Sequence, residues 1–114
     1  MTAGDADELI EGAPNEWQAW AERELWPRCD IDLGNNHRLQ FIWKAGVARV
    51  GSFVVHRRDD GLICLATIMF DCPGGNVNGF TVLQDDPLTV LQSVLCRACN
   101  DHGFIRDGKW VPAG

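Results

Sequence analysis

The sequence predicts an α+β domain that is mainly antiparallel β. Three observations carry that reading. Near the N-terminus, Trp17, Trp20, Ala21 and Leu25 recur at helical spacing. Between Cys29 and Phe70, β-rich runs are punctuated by Gly34-Asn35-Asn36, Ala45-Gly46 and Asp59-Asp60-Gly61, all turn signals. At the C-terminal end, Phe104-Ile105 and Lys109-Trp110-Val111 flank Asp107-Gly108, which reads as a small hairpin. A chain of 114 residues has room for one core. It divides into an acidic arm over residues 1–12, a helix over 14–26, a meander of three to four strands over 29–70, and a cysteine-containing C-terminal unit over 71–114.

The arm holds one large apolar pair, Leu9 and Ile10. It reads as a loose polar leader, or as a segment that docks that pair on a partner. Pro14 suits a first helical turn, and Glu16 faces the positive end of the helix dipole. Pro27 stops the helix. Trp17 and Trp20 read as core packing, with an exposed aromatic patch that anchors a partner as the alternative.

Cys29 to Leu33 reads as a short strand. His37 to Lys44 alternates, with Leu39, Phe41 and Trp43 on one side and Arg38, Gln40 and Lys44 on the other. Val47 to Arg57 is β-rich, with Gly51 marking a bulge or close approach. Leu62 to Phe70 is apolar on both faces and reads as a central strand. Cys72 to Gly79 is loop, and Phe80 to Leu83 a short strand. From Asp86 to Leu95 the acids and Pro87 favour a helix, while Thr89-Val90 and Ser93-Val94 favour extended chain; the balance tips to a short helix.

Composition narrows the function. Sixteen acidic against ten basic side chains give a net charge of -6, the wrong sign for gripping a phosphate backbone. The N-terminal stretch lacks the apolar core of a secretory signal, and no apolar run is long enough for a membrane helix. An intracellular setting is therefore expected, in which five cysteines read as thiols or metal ligands rather than disulfides.

Cys96-Arg97-Ala98-Cys99 has the spacing with which two thiolates grip one tetrahedral zinc ion. Cys72, followed by Pro73-Gly74-Gly75, offers a third thiolate, and His102 an imidazole. The candidate metal set is thus Cys72, Cys96, Cys99 and His102. The competing reading makes the cysteines small buried hydrophobes; Cys64 is read as core, and Cys29, after the helix stop, as a plain strand residue. His56-Arg57-Arg58 beside the Asp59-Asp60 turn is either a solvated hairpin tip or a partner-binding one. The His-x-Glu and Pro-Cys-x-x-Cys pattern of the zinc deaminases is missing, as are phosphate-loop, nucleophile-elbow and His-Glu-x-x-His signatures.

One stretch carries a resemblance. Phe70-Asp71-Cys72-Pro73-Gly74-Gly75, then Pro87-Leu88-Thr89-Val90-Leu91-Gln92-Ser93, then His102-Gly103-Phe104-Ile105-Arg106-Asp107-Gly108 resemble a group of small uncharacterised bacteriophage proteins. Where that pattern has two further cysteines, this chain has Gly75 and Asp101. The resemblance covers roughly the last third of the chain. It implies a phage origin and a zinc-ribbon-like C-terminal hairpin, and no reaction. The expected function is accordingly non-enzymatic: an accessory factor or inhibitor that binds a host protein, working in the host cytoplasm. The alternatives are a virion component, decorating a capsid or joined to a tail, and a small zinc metalloenzyme. The expected partner-binding residues are Leu9, Ile10, Trp17, Trp20, His56, Arg57 and Arg58.

Overall fold

The structure, a computed structural model, describes residues 14–46 and 48–113. The arm, with Leu9 and Ile10, lies outside the described residues. The architecture is α+β with mainly antiparallel sheet. One α-helix, α1 (Pro14–Trp20), runs into a π-helical turn (Ala21–Leu25) and a 3-10 turn (Trp26–Arg28). No described helix is long and apolar enough to cross a membrane.

Four strands follow: β1 (Ile31–Gly34), β2 (His37–Lys44), β3 (Ala48–Arg57) and β4 (Ile63–Met69). They pair antiparallel in the order β1-β2-β3-β4. The register shifts between Ile42 and Trp43, so the alternation that begins at Leu39 and Phe41 breaks and Trp43 turns to solvent. Gly51 lies opposite, at a close approach: a Cβ there would stand 2.6 Å from the carbonyl oxygen of Ile68.

Neighbouring residues of a strand point to opposite faces, and both faces of this sheet are covered. Val55 and Ile63 pack with Ala21 and Leu25 under the helical segment, joined by Trp17, Phe53 and Leu65. On the other face Leu39, Val54 and Ile68 pack with Leu88, Val90, Val94, Ile105 and Trp110. Each such side chain contributes roughly 1.5–3 kcal/mol when fully buried, so the larger cluster makes the C-terminal side the main core. This double cover explains why Leu62 to Phe70 is apolar on both faces, but β4 is an edge strand, not a central one. Gln18 blunts that edge: its amide donates to Ile63 O at 2.9 Å and accepts from Ile63 N at 2.7 Å.

The C-terminal unit is β throughout. β5 (Val82–Asp85) pairs with β6 (Leu88–Val90), and β7 (Val94–Leu95), β8 (His102–Arg106) and β9 (Lys109–Pro112) form a three-stranded sheet. The helix expected between Asp86 and Leu95 is replaced by β6 and β7. The reason is tertiary: Leu88, Val90 and Val94 are all buried in the main core, and Gly108 N and Asp107 N bond to Leu88 O and Thr89 Oγ1. The Asp107-Gly108 hairpin forms as expected, both residues having positive φ.

Gly103 is fixed by packing. A Cβ there would lie 2.5 Å from a ring carbon of Trp110 and 2.7 Å from Val111 O. Gly103→Ala should destabilise the fold by about 1–3 kcal/mol, read as a lower midpoint in urea unfolding; an unchanged midpoint would refute this packing of Trp110.

Candidate metal centre

The turn at Asp59-Asp60-Gly61 folds β3 onto β4 so that His56 and Cys64 are direct cross-strand partners. Both side chains point to the face that carries the C-terminal unit. Across from them, Cys96 and Cys99 sit on the connection between β7 and β8. That connection is a tight loop in which Asn100 N donates to Cys96 O at 2.7 Å and Cys96 N to Asp101 O at 2.8 Å. Asn100 adopts φ 62°, a conformation that asparagine tolerates better than most residues.

The ligand atoms of His56, Cys64, Cys96 and Cys99 all lie within 4.8 Å of one another. His56, Cys64 and Cys96 are buried and Cys99 half-buried. Zinc–sulfur and zinc–nitrogen bonds of about 2.3 and 2.0 Å ask for donors at about 3.3–3.8 Å, so a small contraction would seat an ion. Backbone N–H groups of Ala98 and Cys99 donate to the Cys96 sulfur, and that of Asp101 to the Cys99 sulfur. Such bonds stabilise thiolates.

The thiols respond to these surroundings differently. Burial, then the neighbouring Cys96 and Cys99, pushes Cys64 up to about 12. Burial also raises Cys99. Burial pulls Cys96 the same way, but the His56 ring beside it and the backbone N–H groups outweigh it, and Cys96 is lowered to about 7.

His56 argues against four merely apolar fillers. It is 2 % exposed, and burying a polar ring is costly unless its atoms are partnered. Its Nε2 lies 2.9 Å from Cys99 Sγ, while Nδ1 has no partner among the described residues. A ring driven among three thiols is better accounted for by ligation than by packing. The residues can therefore bind a metal ion, and a Cys₃His donor set is soft and tetrahedral in character.

A second grouping, His37, His56 and Asp101, is close by. It suits support rather than ligation. His37 bonds through Nδ1 to Asn35 O and through Nε2 to Asp101 Oδ2, each at 2.6 Å. The His37 and His56 rings are stacked, 17° apart in plane with centroids at 5.2 Å, so their in-plane lone pairs run alongside each other and do not converge. Trp110 stacks on the far side of His37 at 4.0 Å. The column Trp110–His37–His56 thus fastens β9, the β1–β2 turn and the cysteine loop together. An open cleft of about 620 Å³ runs past this column, lined among others by His37, His56, Arg58, Asp101 and Trp110.

Of the metal set expected from sequence, the structure brings together Cys96 and Cys99 only. Cys72 is half-buried against the main core, beside Phe70 and Val82. His102 is exposed on the outer side of β8. Their places are taken by Cys64 and His56, which the sequence reading gave to the core and to a partner-binding tip. The signal was present: a hairpin turned about Asp60 places residue 56 opposite residue 64. Among the expected partner-binding residues, His56 is too buried to meet a partner. Trp17 is half-buried against the helix-side core, whereas Trp20 is exposed, its ring centroid 6.3 Å from that of Trp17. Arg57 pairs with Glu22 and lies over the Trp26 ring, and Arg58 pairs with Asp60 at 2.7 Å.

No family model, curated protein or solved structure matches this chain.

Metal binding needs three thiolates, and protons must leave to supply them. Near pH 8, Cys64 and Cys99 still hold theirs, whereas Cys96, at about 7, has mostly lost its own. Binding of Cd²⁺ should release about two protons there, and apparent affinity should rise about a hundredfold per pH unit. Calorimetry in buffers of different ionisation enthalpy checks this; release of less than about one proton would rule out a three-thiolate site.

Proposed function

We propose that this protein is a non-catalytic binding scaffold in which a structural zinc ion, held by His56, Cys64, Cys96 and Cys99, clamps the C-terminal unit to the four-stranded sheet. The observation that carries this reading is the donor set itself. Four protein donors converge from two hairpins, which fills a tetrahedral zinc. Catalytic zinc sites instead keep a coordination position open for water or substrate. A closed Cys₃His sphere supplies folding energy, and a β surface held rigid by it is suited to recognition. The C-terminal resemblance to bacteriophage proteins supports a phage source, and with it a host protein as the partner.

The test is metal content with selective ligand removal. Purified protein should hold one zinc per chain. Cys64→Ser, Cys96→Ser and His56→Ala should lose it, whereas Cys72→Ser and His102→Ala should keep it. If zinc is free at ~1,000 times its dissociation constant, chelation removes ~4 kcal/mol of stability. That should lower Tm by roughly 15 °C or more. Metal-free protein that melts unchanged, or zinc lost in the Cys72 and His102 variants, would overturn the assignment.

A further inference from the structure

The outer face of the β7–β8–β9 sheet is the surface with the most to explain. Register places its side chains in three rows: Leu95 beside His102, Phe104 beside Val111, and Arg106 beside Lys109. The opposite face carries Val94, Ile105 and Trp110 into the main core. On the outer face Leu95 and Val111 are 49 % and 42 % exposed. The Arg106 guanidinium lies 4.6 Å from the centre of the Phe104 ring. The face is thus an apolar patch bordered by cations, in a chain whose net charge is -6.

Of the chain's eight other cations six are paired, and among the described residues Lys44 and Arg97 are not. Arg23, Arg28, Arg38, Arg49, Arg57 and Arg58 each have an acidic partner. Among the described residues neither Arg106 nor Lys109 has one. The complementary chemistry is a short peptide with acids flanking apolar residues. The chain itself carries one: Asp5-Ala6-Asp7-Glu8-Leu9-Ile10-Glu11, with four acids, no base and one large apolar pair.

We propose that this N-terminal segment docks on the outer β7–β8–β9 face of a second copy of the chain, Leu9 and Ile10 against Leu95, Phe104 and Val111, its acids against Arg106 and Lys109. The docking is between copies because of reach. Pro14 begins the helix that covers the other face of the four-stranded sheet. Leu9 precedes it by five residues, at most about 18 Å of extended chain. The outer face lies two layer spacings away, each about 10 Å, and the path around the sheet edge is longer still. Two copies exchanging segments make two equivalent contacts, a closed arrangement of the common two-fold kind. The inference stands apart from the zinc reading, since it needs only that the C-terminal sheet be folded.

Sedimentation velocity of the full chain from low to high micromolar concentration tests it, with tryptophan fluorescence as the check on folding around Trp110. The wild type should self-associate, more strongly at low salt. Val111→Glu, and separately Leu9→Asp with Ile10→Asp, should each weaken association at least about tenfold, a loss of 1.4 kcal/mol. Mixing the two variants should restore a partial contact, because one retains the face and the other the segment. A chain that stays monomeric overturns the proposal. So does association that survives the Leu9 and Ile10 changes and is lost only with Val111→Glu, which would mean two faces pairing directly.

Discussion

A cysteine loop between two short strands has little to hold its position. β7 is two residues long, and the loop after it buries few apolar atoms of its own. Its position relative to the sheet is set by what Cys96 and Cys99 meet there: His56 and Cys64, side by side on a β-hairpin whose register is fixed over seven residue pairs. Hairpin register is strongly determined where faces are buried, because a one-residue slip would invert every side chain. The β3–β4 hairpin is buried on both faces, so the pairing of His56 with Cys64 is rigid. The loop sets Cys96 and Cys99 against that pair, with all four donor atoms within 4.8 Å of one another.

The support around that pair is polar and continuous. His37, the cross-strand partner of His56 on β2, stacks between it and Trp110 and spends both ring nitrogens on Asn35 and Asp101. Asp101 is two residues past Cys99, so this hydrogen bond reaches back to the loop. Asn35 in turn donates to Trp110 O at 3.0 Å. Gly103 leaves the space that the Trp110 ring occupies. The loop therefore connects to the sheet by sulfur and imidazole on one side and by a stacked column on the other. Ligating histidines commonly depend on such neighbours for their orientation.

Much of this was legible in the sequence, and the limits are instructive. The turns at Asp59-Asp60-Gly61 and Asp107-Gly108 gave two hairpins, and the Cys-x-x-Cys spacing gave half of the centre. The other half was obscured by composition. Cys64 lies within Leu-Ile-Cys-Leu-Ala-Thr-Ile-Met-Phe, where a thiol is indistinguishable from a small hydrophobe, and His56 opens a run of charges that looks solvated. Only pairing arithmetic across the turn joins them. Cys72 attracted attention through the glycines after it. Those glycines answer a steric demand, since a Cβ at Gly75 would lie 2.2 Å from Phe70 O. The short helix expected after Asp86 failed because burial of Leu88, Val90 and Val94 at strand spacing outweighed a local preference worth a few tenths of a kcal/mol per residue.

The energetics explain why a chain of this size would recruit a metal. The four-stranded sheet divides the apolar interior into two clusters, and among the described residues the helix-side one has four buried members. Small domains bury a modest fraction of their surface and are correspondingly marginal. A disulfide would be a poor substitute at this position: it joins two sulfurs, whereas three thiols and an imidazole converge here, and any single bridge would leave the other groups buried with their hydrogen-bonding needs unmet. One ion would satisfy all four at once. It would turn a set of groups that is costly to bury into a joint between two layers, at the place where the packing of β7 is least able to supply one.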